Sequence, residues 1–225
     1  MSEPKQIPIR FPEADLDFDQ LTVTPANRAI LAAVRRSDHW PYHVFCLVGS
    51  SLSGLTTIAK AWARERGGTY MDGKDFAALK SEQIETLASN DFTIDRPDLI
   101  SDQTNLLFAV SAAERLGSKM LLAAGSAPAT WQSRSPDLMS RLRSAPIAEI
   151  PLPDEPLMRA RLKRACDRAY LNMPIGVEDY LVTRLGLDYS RIEYVIEALA
   201  GLAADRPLTI PLVREVLGQE NDEAN

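Results

Sequence analysis

The chain of 225 residues carries 31 acidic and 25 basic side chains, a formal net charge of −6, with 45% hydrophobic residues and two cysteines. That length excludes a disulfide-stapled miniprotein and suffices for one or two packed domains, and the apolar content excludes a disordered polyelectrolyte. A molecule of net negative charge repels a polyanion as a whole, so any contact with nucleic acid has to be local.

In chain order, the first fourteen residues, MSEPKQIPIRFPEA, hold three prolines and no helical period, which predicts an extended arm over 1–14. Residues 15–24 read as an acidic loop. Thr24 as N-cap and Pro25 at the first helical position predict a helix over 25–36. YHVFCLV, residues 42–48, is a continuous apolar run between Pro41 and Gly49, the pattern of a strand buried on both faces of a parallel sheet. A glycine and serine turn leads into a helix over 54–66 with Leu55, Ile58 and Trp62 as its buried stripe, ended by Gly67-Gly68. Further strands are predicted over 69–71, 91–94, 119–124 and 147–151, with helices over 74–88 and 101–116 between them. This alternation predicts an α/β core over 15–150, a parallel five-stranded sheet flanked by helices. After Pro151-Leu152-Pro153 the patterns are helical only, over 154–170, 176–185, 191–204 and 210–218, with Asn172-Met173-Pro174, Gly186 and Arg206-Pro207 marking helix ends. A small all-helical lid over 151–218 is expected, followed by a disordered tail over 219–225.

The start, Met1-Ser2-Glu3-Pro4, has no basic segment leading into an apolar stretch, and no apolar run approaches the roughly 18 residues of a membrane span. The expectation is a cytoplasmic protein with no membrane partner and with Cys46 and Cys166 reduced. His39 and His43 are four apart, but Pro41 between them argues against a helix that would pair them on a metal. No metal site is expected.

Five patterns bear on chemistry. Gly49-Ser50-Ser51-Leu52-Ser53-Gly54-Leu55-Thr56 has the spacing of the phosphate-cradling loop GxxxxGK[ST], placed between a strand and a helix where that loop belongs. Leu55 stands at the lysine position. A charged hydrogen bond contributes roughly 1.5–3 kcal/mol, so losing two phosphate contacts weakens triphosphate binding by about two to four orders of magnitude. Gly49, Gly54 and Thr56 either still cradle phosphate or serve only the turn. Asp95 ends an apolar strand, as the magnesium-associated carboxylate of P-loop hydrolases does, or it caps the next loop; Arg96 follows where a second acid would activate water. Arg141 and Arg143 close an amphipathic segment from which an arginine can reach a neighbour's phosphate or simply be solvated. Arg159, Arg161, Lys163, Arg164 and Arg168 give one helix a basic face, either a contact for nucleic-acid phosphates or a solvated surface held by acidic neighbours. In the arm, Gln6, Ile7, Pro8, Ile9 and Phe11 suit a preformed apolar groove, with Pro8 lowering the entropy lost on ordering, or they pack back on the chain itself.

Together QIPIRF, DFDQLTVTPANRAI, GSSLSGLT, SPDLMSRL and RPLTIPLVREVL resemble the Hda family, regulatory inactivators of the replication initiator DnaA and AAA+ proteins related to its ATPase region. The resemblance covers nearly the whole chain and implies an AAA+ P-loop core with a helical lid. It implies binding to the DNA polymerase sliding clamp through Gln6, Ile7, Ile9 and Phe11, and an arginine finger at Arg141 that provokes hydrolysis of ATP held by DnaA. Arg191 is similar to the family's nucleotide-sensing lid arginine. Family members hold ADP, whereas Leu55 leaves the expectation at ADP or no nucleotide, without magnesium and without autonomous ATPase activity. The alternatives are a nucleotide-binding ATPase or loader, which requires Gly49, Gly54, Thr56 and Asp95 to be functional, and a DNA-binding replication scaffold. A homo-oligomer is compatible with either.

Overall fold

The computed structural model of the protein describes residues 16–132, 135–202 and 207–223. The expected arm, with Gln6, Ile7, Ile9 and Phe11, lies outside the described residues.

Five parallel strands form the sheet: β1 (Val44–Val48), β2 (Thr69–Asp72), β3 (Phe92–Asp95), β4 (Met120–Ala124) and β5 (Ile147–Glu149), in the order β2-β3-β4-β1-β5. The register pairs Val44 with Met120 and Val48 with Ala124 across β1 and β4, and Cys46 with Ile147 across β1 and β5. The continuous apolar runs take the interior places, since every residue of β1, β3 and β4 is buried, while β2 and β5 at the edges are partly exposed. Side chains alternate across the pleat. Val44, Cys46, Met120 and Leu122 face one apolar layer, and Phe45, Leu47 and Leu121 face the other.

The layer under Phe45 and Leu47 is closed by α1 (Arg28–Arg35) and α2 (Leu55–Glu65), where Trp62 is fully buried and stacks on Trp40 at 5.4 Å. The other layer is closed by α3 (Gly73–Ala77), α4 (Ser81–Ala88), α5 (Thr104–Leu116) and α6 (Pro136–Ser144). Leu122 lies at its centre with no exposed surface. Leu122→Ala is expected to lower unfolding stability by about 2–5 kcal/mol through lost burial and an unfilled cavity, read as a fall in the urea midpoint at unchanged slope.

Four further helices, α7 (Glu155–Arg168), α8 (Ile175–Leu185), α9 (Tyr189–Leu202) and α10 (Ile210–Glu223), pack around their own core of Leu162, Leu181, Val195, Leu199 and Val213. These helices form a second core with its own apolar centre. No helix among the described residues is long and apolar enough to cross a membrane.

Several expected boundaries differ, among them the following three. The first helix begins at Arg28, because the Asn27 side chain accepts from Thr24 N at 2.8 Å and donates to Thr22 O at 2.8 Å, holding residues 24–27 in a turn. The helix expected over 74–88 is broken into α3 and α4. At the break Asn105 Nδ2 donates to the carbonyls of Ala77 and Leu79, and Gln83 accepts from Lys80 N at 2.9 Å, so the polar groups freed by the interruption are satisfied. Finally, α10 continues to Glu223, five residues beyond Gly218, into the segment expected to be a disordered tail.

A phosphate-type loop, an inserted arginine and a second arginine at the far end of the sheet

The segment 49–54 leaves the carboxyl end of β1 and enters α2, at the mouth of a cavity of about 750 Å³. Two left-handed residues shape it: Leu52 at φ 62° and Gly54 at φ 99°. Only glycine adopts the second readily, and here it also meets a close neighbour, since a Cβ on Gly54 would stand 2.7 Å from Arg161 Nη2. Gly54 therefore meets a backbone requirement, a Cβ on Gly49 would stand 2.6 Å from Ser53 Oγ, and Leu55 lines the cavity where a lysine would be.

Thr56 and Asp95, singled out separately in the sequence, come together. The Thr56 hydroxyl donates to Asp95 Oδ2 at 2.7 Å, and the Tyr70 hydroxyl donates to the same oxygen at 2.8 Å. Burial, followed by the bond to Asp95, pushes the Tyr70 phenol well above its ordinary pKa and keeps it a donor. Asp95 is 1% exposed, and among the described residues its buried Oδ1 has no hydrogen-bond partner, nor has Ser53 Oγ. Arg96, in left-handed conformation at φ 57°, turns away to pair with Asp72. No carboxylate stands at the position after Asp95 that a hydrolytic water would need.

Arg161 was not singled out by the sequence reading, which placed it on a basic helix face. Its Nη1 donates to Leu52 O at 2.6 Å and its Nη2 to Ser53 O at 2.7 Å, while the guanidinium lies 4.4 Å over the Tyr189 ring. Burial lowers its pKa, although an arginine at this site stays charged. The signal was present in the spacing: Leu157 and Ala165, four residues to either side, are buried, so Arg161 shares the inward face of α7. The other arginines of that helix are engaged within the chain. Arg159 pairs with Glu155, Glu178 and Asp179, Arg168 pairs with Glu193, and Arg164 donates to Gln20 O.

Arg191 is not brought to this cavity. It donates to the carbonyls of Arg184 and Leu185 at the end of α8 and lines a separate cleft with Tyr180, Arg184 and Arg214.

Arg141 lies at the other end of the sheet. Ser135 caps α6 by accepting from Leu138 N at 3.2 Å, and fully buried Leu138 and Leu142 anchor the helix on the core. From this rigid support Arg141 pairs with Glu114 in the last turn of α5, and the hydroxyl of Tyr42, two residues before β1, donates to the same carboxylate. The Glu114 carboxylate holds Arg141 above its usual pKa, and burial followed by Glu114 pushes Tyr42 up to about 12. The Arg141 side chain remains 37% exposed. Since Tyr42 precedes β1 and the loop follows it, five strand residues, about 16 Å, separate Arg141 from the chain's own loop.

A parallel sheet with a GxxxxG loop after β1 and a four-helix lid over the loop defines the AAA+ class of P-loop folds. In particular, this is the fold of the AAA+ module of DnaA. Domain III of the Thermotoga maritima replication initiation protein DnaA matches with a TM-score of 0.75 at 17% identity, covering 92% of this chain and 97% of that one. AMPPCP-bound DnaA from Aquifex aeolicus matches at 0.71 and 20% identity over 95% of this chain and 72% of that one. A DNA replication initiation factor matches at 0.68 and 20% identity over 81% of this chain, which spans 63% of its length. No protein-family model and no curated protein matches the sequence.

Proposed function

We propose that this chain is a DnaA-related regulator of replication initiation, tethered to the sliding clamp by its arm, that supplies Arg141 to ATP held by a neighbouring DnaA and thereby switches the initiator off. It has no nucleotide turnover of its own. The observation that supports this reading best is the separation of Arg141 from the chain's own loop. An arginine on a rigid helix, 37% exposed and a strand's length from that loop, can meet a phosphate only if another molecule brings it.

The loop supports the same division. It lacks the lysine, lacks a second acid after Asp95, and offers its Leu52 and Ser53 carbonyls to Arg161. Catalysis by an inserted arginine needs no intact site on the donor molecule, because the guanidinium acts on charge developing at a phosphoryl group held elsewhere. Glu114 keeps the guanidinium aimed and is exchanged for phosphate oxygens on docking.

The test is ATP hydrolysis by purified DnaA with the loaded clamp and this chain at equal concentration. Acceleration that requires all three components is expected. Hydrolysis at the rate of DnaA alone, or turnover by this chain in the absence of DnaA, overturns the reading.

A further inference from the structure

In P-loop proteins with a lid, a nucleotide lying between loop and lid can hold the two together. Here the joint is made by protein groups. We propose that Arg161 is a built-in ligand of the loop which fixes the helical lid on the sheet without any nucleotide. The inference does not depend on DnaA being the partner.

One arginine joins three elements. Its two terminal nitrogens donate to consecutive loop carbonyls at 2.6 and 2.7 Å, its stem belongs to α7, and its flat face lies 4.4 Å over Tyr189 of α9. A planar fork suits two adjacent oxygens as a point charge does not, and stacking on an aromatic face adds to its hold. Gly54 is the complementary feature: the absence of a Cβ there leaves room for Nη2, which would otherwise be 2.7 Å away. Leu55 is the second. A lysine at that position would bring another cation to the same cavity, whereas leucine leaves Arg161 as the positive group bonded to the loop backbone.

The rest of the junction also consists of protein groups. Asp154, the cap of α7, accepts from Leu157 N at 3.0 Å and reaches Ala26 N at 3.1 Å; Arg164 donates to Gln20 O at 2.7 Å; the Tyr189 hydroxyl donates to Pro151 O at 3.1 Å. These contacts set the lid angle, and Arg161 carries that constraint onto the loop.

Amide hydrogen exchange of the full chain, with and without 1 mM ADP as the probe, tests this. Wild-type protection over residues 50–56 and in α7 should be the same in both conditions. Arg161→Gln should exchange at least about tenfold faster in those two segments, with α5 unchanged as the internal control. Arg161→Lys, which keeps the charge but loses the fork, should behave like the glutamine variant. Leu55→Lys should also loosen the loop and should not confer protection by ADP. The proposal is overturned if Arg161→Lys retains wild-type protection, if no variant changes exchange at the loop, or if ADP protects the wild type and Arg161→Gln abolishes that protection. The last result would make Arg161 a phosphate ligand instead.

Discussion

Arg141→Ala is expected to remove the acceleration of DnaA-bound ATP hydrolysis almost completely, since an arginine inserted from a partner contributes a factor of about 10³–10⁵ to phosphoryl transfer. Little else should change. The side chain is 37% exposed and its pair with Glu114 lies at the surface, where such pairs contribute about 0–1 kcal/mol. Helix α6 is held by Leu138 and Leu142, which the substitution leaves in place. The measurement is single-turnover hydrolysis by DnaA beside a thermal melt of the variant. Arg141→Lys should rescue little, because an ammonium cannot reproduce the planar contact. A variant with normal stimulation and a normal melt would remove Arg141 from the mechanism, and a large loss of stability would show that its role is structural.

The second large effect concerns the arm. Gln6→Ala combined with Phe11→Ala is expected to abolish clamp binding, and with it stimulation at dilute concentration. If Phe11 fills an apolar pocket and the Gln6 amide orients the peptide, removing both deletes the anchor, and buried aromatic anchors each contribute about 2 kcal/mol or more to such contacts. A tether of this kind acts through effective concentration, which for a short flexible linker is on the order of millimolar. The variant should therefore regain stimulation when DnaA and this chain are both supplied near that concentration, which an Arg141 variant should not. Clamp binding by surface resonance and hydrolysis across a concentration series separate the two. Equal clamp binding by wild type and variant would eliminate the tether.

Much of the core was legible because its signal is local. VFCLV and MLLAA are apolar at every position, a pattern that fits an interior strand covered on both faces, and both became central strands. The loop between β1 and α2 could be placed from its glycine spacing and its position between a strand and a helix. Boundaries governed by side-chain hydrogen bonds were not legible. Thr24-Pro25 is a sound helix start by propensity, but Asn27 folds back on Thr22 and Thr24 and delays the helix by three residues. The division of 74–88 depends on Asn105, a residue of a later helix.

The site was legible in its parts and not in its arrangement. Thr56 and Asp95, each picked out by its own motif, are joined by a hydrogen bond that neither motif announced. Arg161 was read with its neighbours as part of a charged surface because composition does not distinguish an arginine aimed inward from one aimed out. The buried residues at four-residue spacing do distinguish it. Arg191 was placed near nucleotide by likeness of sequence, yet its bonds to Arg184 and Leu185 depend on how α8 ends, which no local pattern encodes.

The opposed positions of Arg141 and the loop give the molecule a direction. Molecules that join front to back, each offering a guanidinium to the triphosphate carried by the next, form a row that can lengthen at both tips. A member able to donate the guanidinium but carrying no triphosphate makes such a joint on one side only. Under the proposed role this chain would join a partner on one flank only: its guanidinium would silence the neighbour there, and its own loop would leave nothing on the other flank for a further copy to engage.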